Sequence, residues 1–297
     1  MEIPSHYIAL IREVYPNLDV QRLEFNRDGM NNDVIVVNGR LVCRFPKSDS
    51  ARRNLRHEAA VLKLLDGKTG IRLPRFEQIN DDFVSYEFIE GEPLSRNIVL
   101  KLDERARWKV LAQLGEFCVA LHGITLTHAT NMDVGESAAQ RTLEDLMRMY
   151  ARVEEVLFPK LWKHQRIWVR EHFAPLRDDK LLLNTTRSLI HGDLGCYHIL
   201  FNEREQRLQG VLDFGTAGIG SQAVDVATLL DTYGEHIVKQ ALQGLGYAQD
   251  VIDEARFRSG LLWLEWALIG VENKDYEILL AHIGHSARDV LPIGSEW

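Results

Sequence analysis

The sequence predicts an α+β chain of two unequal lobes. A small antiparallel β-sheet lobe with one helix spans residues 1–89, and a larger, mainly helical lobe spans 90–297. Three observations predict it. The first third holds two apolar runs joined by Asn38-Gly39, and Asn-Gly between apolar runs is the strongest short hairpin signal. From Asp103 onward the apolar spacing becomes helical. A single glycine-rich, non-helical patch, residues 188–220, interrupts that helical half.

Each element follows in order. Residues 34–37 and 41–45 are the hairpin strands. Residues 49–66 place Leu55, Ala59, Leu62 and Leu65 near helical spacing and stop at Gly67, a residue suited to closing a helix. Residues 76–79 and 83–88 read as two more strands around Asn80-Asp81-Asp82. Glu90-Gly91-Glu92-Pro93 breaks the pattern and marks the lobe boundary, with a hinge over residues 86–92. Residues 103–123 put Ala106, Val110, Leu114, Phe117 and Leu121 on one stripe, with Asp103 as N-cap and His122 packing or capping at the end. Helices are also expected over 138–157, 161–176, 221–243 and 250–281, with breaks near 244–246 and at Gly270. Trp162, Trp168, Trp263 and Trp266 read as core rather than as a substrate platform.

Composition excludes whole classes. Hydrophobic residues at 45% and charged residues at 26% are a globular balance, which sets aside disorder and collagen-like repeats. A net charge of −8 argues against a nucleic-acid binder. No apolar stretch approaches the roughly 18–20 residues of a membrane span, and residues 1–6 lack a secretory leader. Cys43, Cys118 and Cys196 form neither a CxxC pair nor a disulfide framework. A cytoplasmic monomer is expected. The charge is unevenly spread: residues 40–75 carry a local balance of +7 and residues 211–297 one of −8. Each is a solvated face taken alone, or a basic site for an anion and an acidic site for a cation if motifs place ligands there.

The chemistry concentrates in the non-helical patch. It contains His191-Gly192-Asp193, then His198, then Asp213-Phe214-Gly215. Phosphoryl transfer needs a carboxylate to orient a hydroxyl and take its proton, and a pair of ligands to hold Mg²⁺ against the nucleotide phosphates. Asp193 suits the first task, and His198 and Asp213 suit the second. Taken without Asp193 and Asp213, His198 reads better as a buried, satisfied histidine.

This arrangement resembles the kinase-like small-molecule phosphotransferases, the aminoglycoside phosphotransferases in particular. The run His191-Gly192-Asp193-Leu194-Gly195-Cys196-Tyr197-His198-Ile199-Leu200 and the segment Val42-Cys43-Arg44-Phe45-Pro46-Lys47 are similar to the branch that modifies the 2″-hydroxyl. The likeness covers about residues 25–235. It implies a bilobal protein-kinase-like fold whose first lobe binds nucleotide, with Asp193 as catalytic base and Mg²⁺ on His198 and Asp213. It also implies that Arg44 stands where the family has a phosphate-pairing lysine, with Glu58 as its partner and Lys47 as the fallback. Arg offers a fixed fork where Lys is a point charge. Residues 28–32, ending at Asn32, would be the loop over the phosphates. Tyr86, Glu87, Phe88 and Ile89 would be the hinge that reads the purine, the bulk of Tyr86 favouring GTP over ATP. Asp225 and His191 would support the catalytic loop.

The implied donor is ATP or GTP, and the implied acceptor a hydroxyl of a cationic small molecule, an aminoglycoside first. Asp231, Glu235, Glu265 and Glu272 are solvated-face acids singly and a lining for an amine-rich acceptor as a set. Two alternatives stand beside this reading. One is a kinase of another small molecule (macrolide, hygromycin-like, choline-like or sugar alcohol); the other is a pseudokinase module that binds nucleotide without turnover.

Overall fold

In the computed structural model, which describes residues 3–27, 29, 31–80 and 82–283, the Asn38-Gly39 hairpin seeds a five-stranded antiparallel sheet. Both turn residues take positive φ, 54° and 64°, the twist that matches paired strands. Helix α1 (Ser5–Val14) precedes strands β1 (Leu23–Asn26), β2 (Asn32–Val37) and β3 (Leu41–Pro46). After helix α2 (Asp49–Leu65) come β4 (Phe76–Ile79) and β5 (Val84–Glu87), giving the order β1-β2-β3-β5-β4. Ile35 and Val37 of β2, with Cys43 and Phe45 of β3, bury one face of the sheet under Ile11 of α1. Neither α1 nor β1 was expected from sequence, because short segments of mixed polarity carry little periodic signal. Ser48 caps α2 by accepting the Ala51 N–H. Val61, Leu62, Leu64 and Leu65 then run into a core shared with the second lobe.

Beyond the hinge, β6 (Glu92–Pro93) pairs at once with a strand of the second lobe, Glu92 opposite Phe201 and Pro93 opposite Leu200. The chain continues through α3 (Arg96–Lys101), α4 (Glu104–His122), α5 (Leu126–Asn131), α6 (Leu143–Val156) and α7 (Lys163–Arg177). Four short strands follow: β7 (Arg187–Ile190), β8 (Ile199–Asn202), β9 (Arg207–Val211) and β10 (Gly218–Ser221). They form two small sheets, β6-β8-β9 and β7-β10. The last helices are α8 (Gln222–Tyr233), α9 (Glu235–Leu242), α10 (Gln249–Glu272) and α11 (Tyr276–Ile283). The lobes are also stitched behind the hinge, where the Arg72 N–H donates to the Gln209 carbonyl and the Val211 N–H to the Arg72 carbonyl, at 3.1 and 3.0 Å.

The α+β expectation is borne out, with three corrections. The expected helix over 221–243 is two helices, split at Gly234, where φ is +81°. The break expected at Gly270 falls later, at Asn273. Gly270 is instead a contact point: a Cβ there would sit 2.7 Å from the Leu279 nitrogen and 2.9 Å from the Asp275 carbonyl oxygen, so its bareness lets α11 fold back onto α10. Trp162, Trp168 and Trp266 are 40–47% exposed rather than core. The three cysteines are free, as expected. No helix among the described residues is long and apolar enough to cross a membrane.

Candidate active site

The site is assembled around one buried carboxylate. Asp225, on the first turn of α8 and fully buried, accepts the backbone N–H of His191 at Oδ2 and of Gly192 at Oδ1, both at 2.8 Å. Burial pushes its carboxyl up, but the hydrogen bond from His122, with His191 adding to it, holds it below the usual range. Gly192 sits at φ +83°, and a Cβ there would meet Ser137 Oγ and the Thr216 carbonyl at 2.9 Å. His191 is buried; its Nδ1 accepts the Asp193 N–H at 3.2 Å, so Nε2–H donates to the Leu212 carbonyl at 3.0 Å. Burial lowers its pKa and holds it neutral. His191 therefore links the Asp193 backbone to the strand end that leads into Asp213.

His198 meets Asp193 directly and feels the charge of Asp213; among the described residues the three do not form a cluster that could hold a metal ion together. His198 Nε2–H donates to Asp193 Oδ2 at 3.2 Å. That bond lowers the Asp193 pKa against the pull of burial, so Asp193 is ionised at neutral pH. Burial lowers the His198 pKa as well, but the Asp193 bond and the Asp213 and Asp193 charges outweigh it and the net shift is upward. Asp213 holds a left-handed φ of 61°, a conformation that Asp tolerates better than most residues. Its side chain is 51% exposed, with Gly215 N–H at 3.4 Å and Arg44 Nη2 at 3.8 Å.

On the first lobe, Arg44 on β3 and Glu58 on α2 form a buried pair. One guanidinium nitrogen, Nη1, contacts both carboxylate oxygens at 2.8 and 3.0 Å. Glu58 also accepts the Phe214 N–H at 3.2 Å. Its neighbour His57 donates Nε2–H to the Ala217 carbonyl at 2.7 Å. Helix α2 therefore holds this segment at Phe214 and at Ala217. Sequence reasoning did not single out His57; a bond spanning 160 residues leaves no local pattern.

Lys47 has another task. Its Nζ donates to the carbonyls of Arg27 and Gly29, at 2.8 and 2.6 Å, and lies 3.2 Å from Asp33, so it braces the loop expected over the phosphates. Asp28 and Met30 of that loop lie outside the described residues. Asn32 is buried, its Oδ1 without a hydrogen-bond partner among the described residues. Tyr86 faces inward on β5; burial pushes its phenol up to about 12, with Arg44 opposing. Glu87 pairs with Arg72 at 2.9 Å, and the Phe88 N–H donates to the Arg40 carbonyl. Glu87 and Ile89 line a cavity of about 750 Å³ with Leu62, Ile71 and Phe76, which leaves the backbone of this stretch as its candidate contact with a base.

The four acids expected to receive an acceptor are not gathered into one ring. Glu235 pairs with Arg256, and Glu272 with Arg152 at 2.9 Å. Glu265 lies 4.0 Å from Arg141, and burial raises its pKa. Glu235 and Glu265 line different cavities. Asp231 stands on α8 beside Thr232, whose hydroxyl lies 3.9 Å from where a Cβ on Gly195 would sit.

A profile of the phosphotransferase enzyme family matches residues 22–259. Viomycin phosphotransferase of Streptomyces vinaceus is 26% identical over 290 residues, covering 94% of this chain and 97% of that protein. The GDP complex of wild-type aminoglycoside 2′-phosphotransferase-IIIa superposes with a TM-score of 0.83 at 25% identity, covering 95% of this chain and 97% of that one. The GDP and kanamycin complex of the same class of enzyme gives 0.82 at 26% identity, covering 95% and 97%. The bilobal kinase-like fold implied by the motifs is borne out.

Proposed function

Because the chain belongs to the phosphotransferase enzyme family, we propose that it moves the γ-phosphoryl group of ATP or GTP onto a hydroxyl of a cationic small molecule, an aminoglycoside in first place. The observation that carries the reading is the placement of Asp193. It is an ionised, half-exposed carboxylate bonded to His198, on a loop clamped to Asp225, and His198 in turn feels the charges of Asp213 and of Arg44, which is paired with Glu58. The acceptor hydroxyl would donate its proton to Asp193 as its oxygen bonds to the γ-phosphorus. The bond from that phosphorus to the bridging oxygen breaks, and the nucleoside diphosphate leaves. Arg44, tied to Glu58, would offer its second guanidinium arm to phosphate oxygens. Most of the rate would come from positioning and electrostatics.

The donor set suits Mg²⁺ on the Asp213 side. Mg²⁺ takes one or two protein groups plus phosphates and water, and the Asp213 carboxylate is open to solvent. His198 would join it by giving up its bond to Asp193; an imidazole is a softer donor than Mg²⁺ prefers. When bound, the ion would offset charge on the transferring phosphate. Asp213 is held ready by the left-handed turn and by the Phe214 N–H bond to Glu58.

Support for an aminoglycoside acceptor is the kanamycin complex among the structural neighbours and the acid-rich residues 211–297. A second acceptor, viomycin, is favoured by the full-length likeness to viomycin phosphotransferase. Support for GTP as donor is the GDP held by the neighbours and the bulk of the buried Tyr86. We place the protein in the cytoplasm as a monomer. The test is coupled nucleoside-diphosphate release, with ATP and GTP each tried against aminoglycosides with and without a 2″-hydroxyl, viomycin, a macrolide and choline. Turnover with an aminoglycoside or viomycin, reduced by about 10²–10⁴ in Asp193→Asn with KM little changed, supports the reading. No acceptor-stimulated release with any of them overturns the antibiotic assignment. An Asp193→Asn variant that keeps its turnover overturns the catalytic role.

A further inference from the structure

We propose that Tyr247 is a positioning residue for the phosphoryl transfer, acting on the catalytic loop through His122 and Asp225. The inference rests on the Asp193 assignment above and extends it to a residue 54 positions further along the chain.

Asp225 has two carboxylate oxygens and three donors. Two are the backbone N–H groups of His191 and Gly192, which set the path of the loop into Asp193. The third is His122 at the end of α4, whose Nε2–H donates to Oδ2 at 3.0 Å. All of these partners except Gly192 are buried, and Asp225 wholly so. The orientation of the carboxylate therefore depends on whether the His122 ring presents a proton or a lone pair. An imidazole can do either, by flipping about its ring axis or by exchanging tautomer.

Tyr247 removes that freedom. Its hydroxyl lies 2.7 Å from His122 Nδ1; in the neutral ring, with Nε2–H committed to a carboxylate, Nδ1 accepts and the phenol donates. Burial pushes the Tyr247 phenol far up, so it keeps its proton. The two rings meet edge to face, centroids 5.8 Å apart at 77°, which limits ring rotation. Tyr247 arrives from the loop between α9 and α10, flanked by Gly244 and Gly246 at φ near 80°. It touches neither Asp193 nor Asp213 and is 125 residues from His122 in sequence, so no motif announces it. Without its hydroxyl, His122 Nδ1 would be an unsatisfied acceptor in a buried site. The ring would then populate the flipped or exchanged form that turns a lone pair toward Asp225.

The test uses the full chain with its best donor and acceptor. Tyr247→Phe removes one oxygen and preserves packing. The expected result is a fall in kcat of about three- to tenfold, the worth of one hydrogen bond. KM for both substrates stays within twofold, and Tm within about 2 °C, too little to reflect unfolding. Because Tyr247 acts through His122, the same change in a His122→Gln background should lower kcat by less than about 1.5-fold; Gln keeps a donor for Asp225. An unchanged kcat in Tyr247→Phe, or an equal loss in both backgrounds, overturns the proposal. Where His122→Gln does not fold, ¹⁵N-histidine spectra decide it. Wild type should show His122 as a single Nε2–H tautomer and Tyr247→Phe a mixture, and an unchanged tautomer beside a lowered kcat overturns the relay. If Asp193→Asn keeps full turnover, the site assignment itself has failed, whatever Tyr247→Phe does.

Discussion

Replacing Glu58 by Gln isolates what the buried pair contributes. Glu58 is 1% exposed and Arg44 8%, so little solvent competes. At 2.8 Å and an effective dielectric of about 20, the attraction is about 6 kcal/mol before desolvation is charged against it. Gln keeps one acceptor for the Phe214 N–H but presents an amide and no charge to the guanidinium. Removing one partner of a buried pair costs about 3–5 kcal/mol, because the other charge stays buried alone. Arg44 can lean toward Asp213, 3.8 Å away, which places the expected loss near the lower figure, about 3 kcal/mol. At roughly 2 °C per kcal/mol for a chain of this size, Tm falls by about 6 °C. That same lean draws Asp213 from its open position, so affinity for a nucleotide analogue by calorimetry falls tenfold or more.

A double variant separates the two consequences. Arg44→Met with Glu58→Leu removes both charges and fills the space with apolar groups, an exchange that is often neutral or stabilising for buried pairs. The Phe214 N–H then loses its acceptor, at about 1–3 kcal/mol. Its Tm should lie between those of Glu58→Gln and wild type, while nucleotide affinity stays at least as low as in the single variant. A double variant less stable than Glu58→Gln would refute the claim that a stranded charge dominates. One that binds nucleotide like wild type would remove Arg44 from phosphate recognition.

Three further expectations follow from the same geometry. Gly192→Ala sets a Cβ at φ +83° against Ser137 Oγ and the Thr216 carbonyl at 2.9 Å; it should destabilise by about 1–3 kcal/mol in urea unfolding and abolish turnover. Asp225 has a lowered pKa in the folded state; since its unfolded value is about 3.9, its contribution is present above about pH 4 and lost as pH falls through the folded value. Unfolding free energy should therefore drop more steeply below about pH 4 in wild type than in Asp225→Asn, and parallel curves would contradict the shift. Lys47→Met frees the carbonyls of Arg27 and Gly29; KM for nucleotide should rise about three- to tenfold with kcat within twofold, the signature of lost uniform binding, and an equal fall in kcat would point to direct phosphate contact instead.

What was legible in the sequence depends on the range over which each feature is determined. The Asn38-Gly39 turn sets the register of β2 against β3, Val37 opposite Leu41 and Val34 opposite Arg44, so the strand that carries Arg44 was legible locally, while the part expected of Arg44 came from the family resemblance. The stripe on α4 and the ends of α2 are equally local. The tryptophans were misread because burial is not a property of a side chain but of what covers it: large apolar residues still contribute much of a folded surface. Trp168 lies against His172 and Trp263, at 4.7 Å from each, while staying 40% exposed. Gly270 was misread because a glycine in a helix is as often a seat for a neighbour as a break, and the neighbour, α11, is determined only by packing. Asp193 and Asp213 stood out as candidates because phosphoryl transfer demands those residue types in that order. Of their supports, Asp225 and His191 were named through the family resemblance, whereas His57 and Tyr247 were not. His57, His122 and Tyr247 act by meeting groups 160, 103 and 125 residues away, and such meetings exist only once the chain has folded. The candidate chemistry of this site is thus written in short motifs, while part of its rigidity comes from residues such as His57 and Tyr247 that carry no motif. Changes at those supports are expected to move kcat while leaving the recognisable sequence of the active site intact.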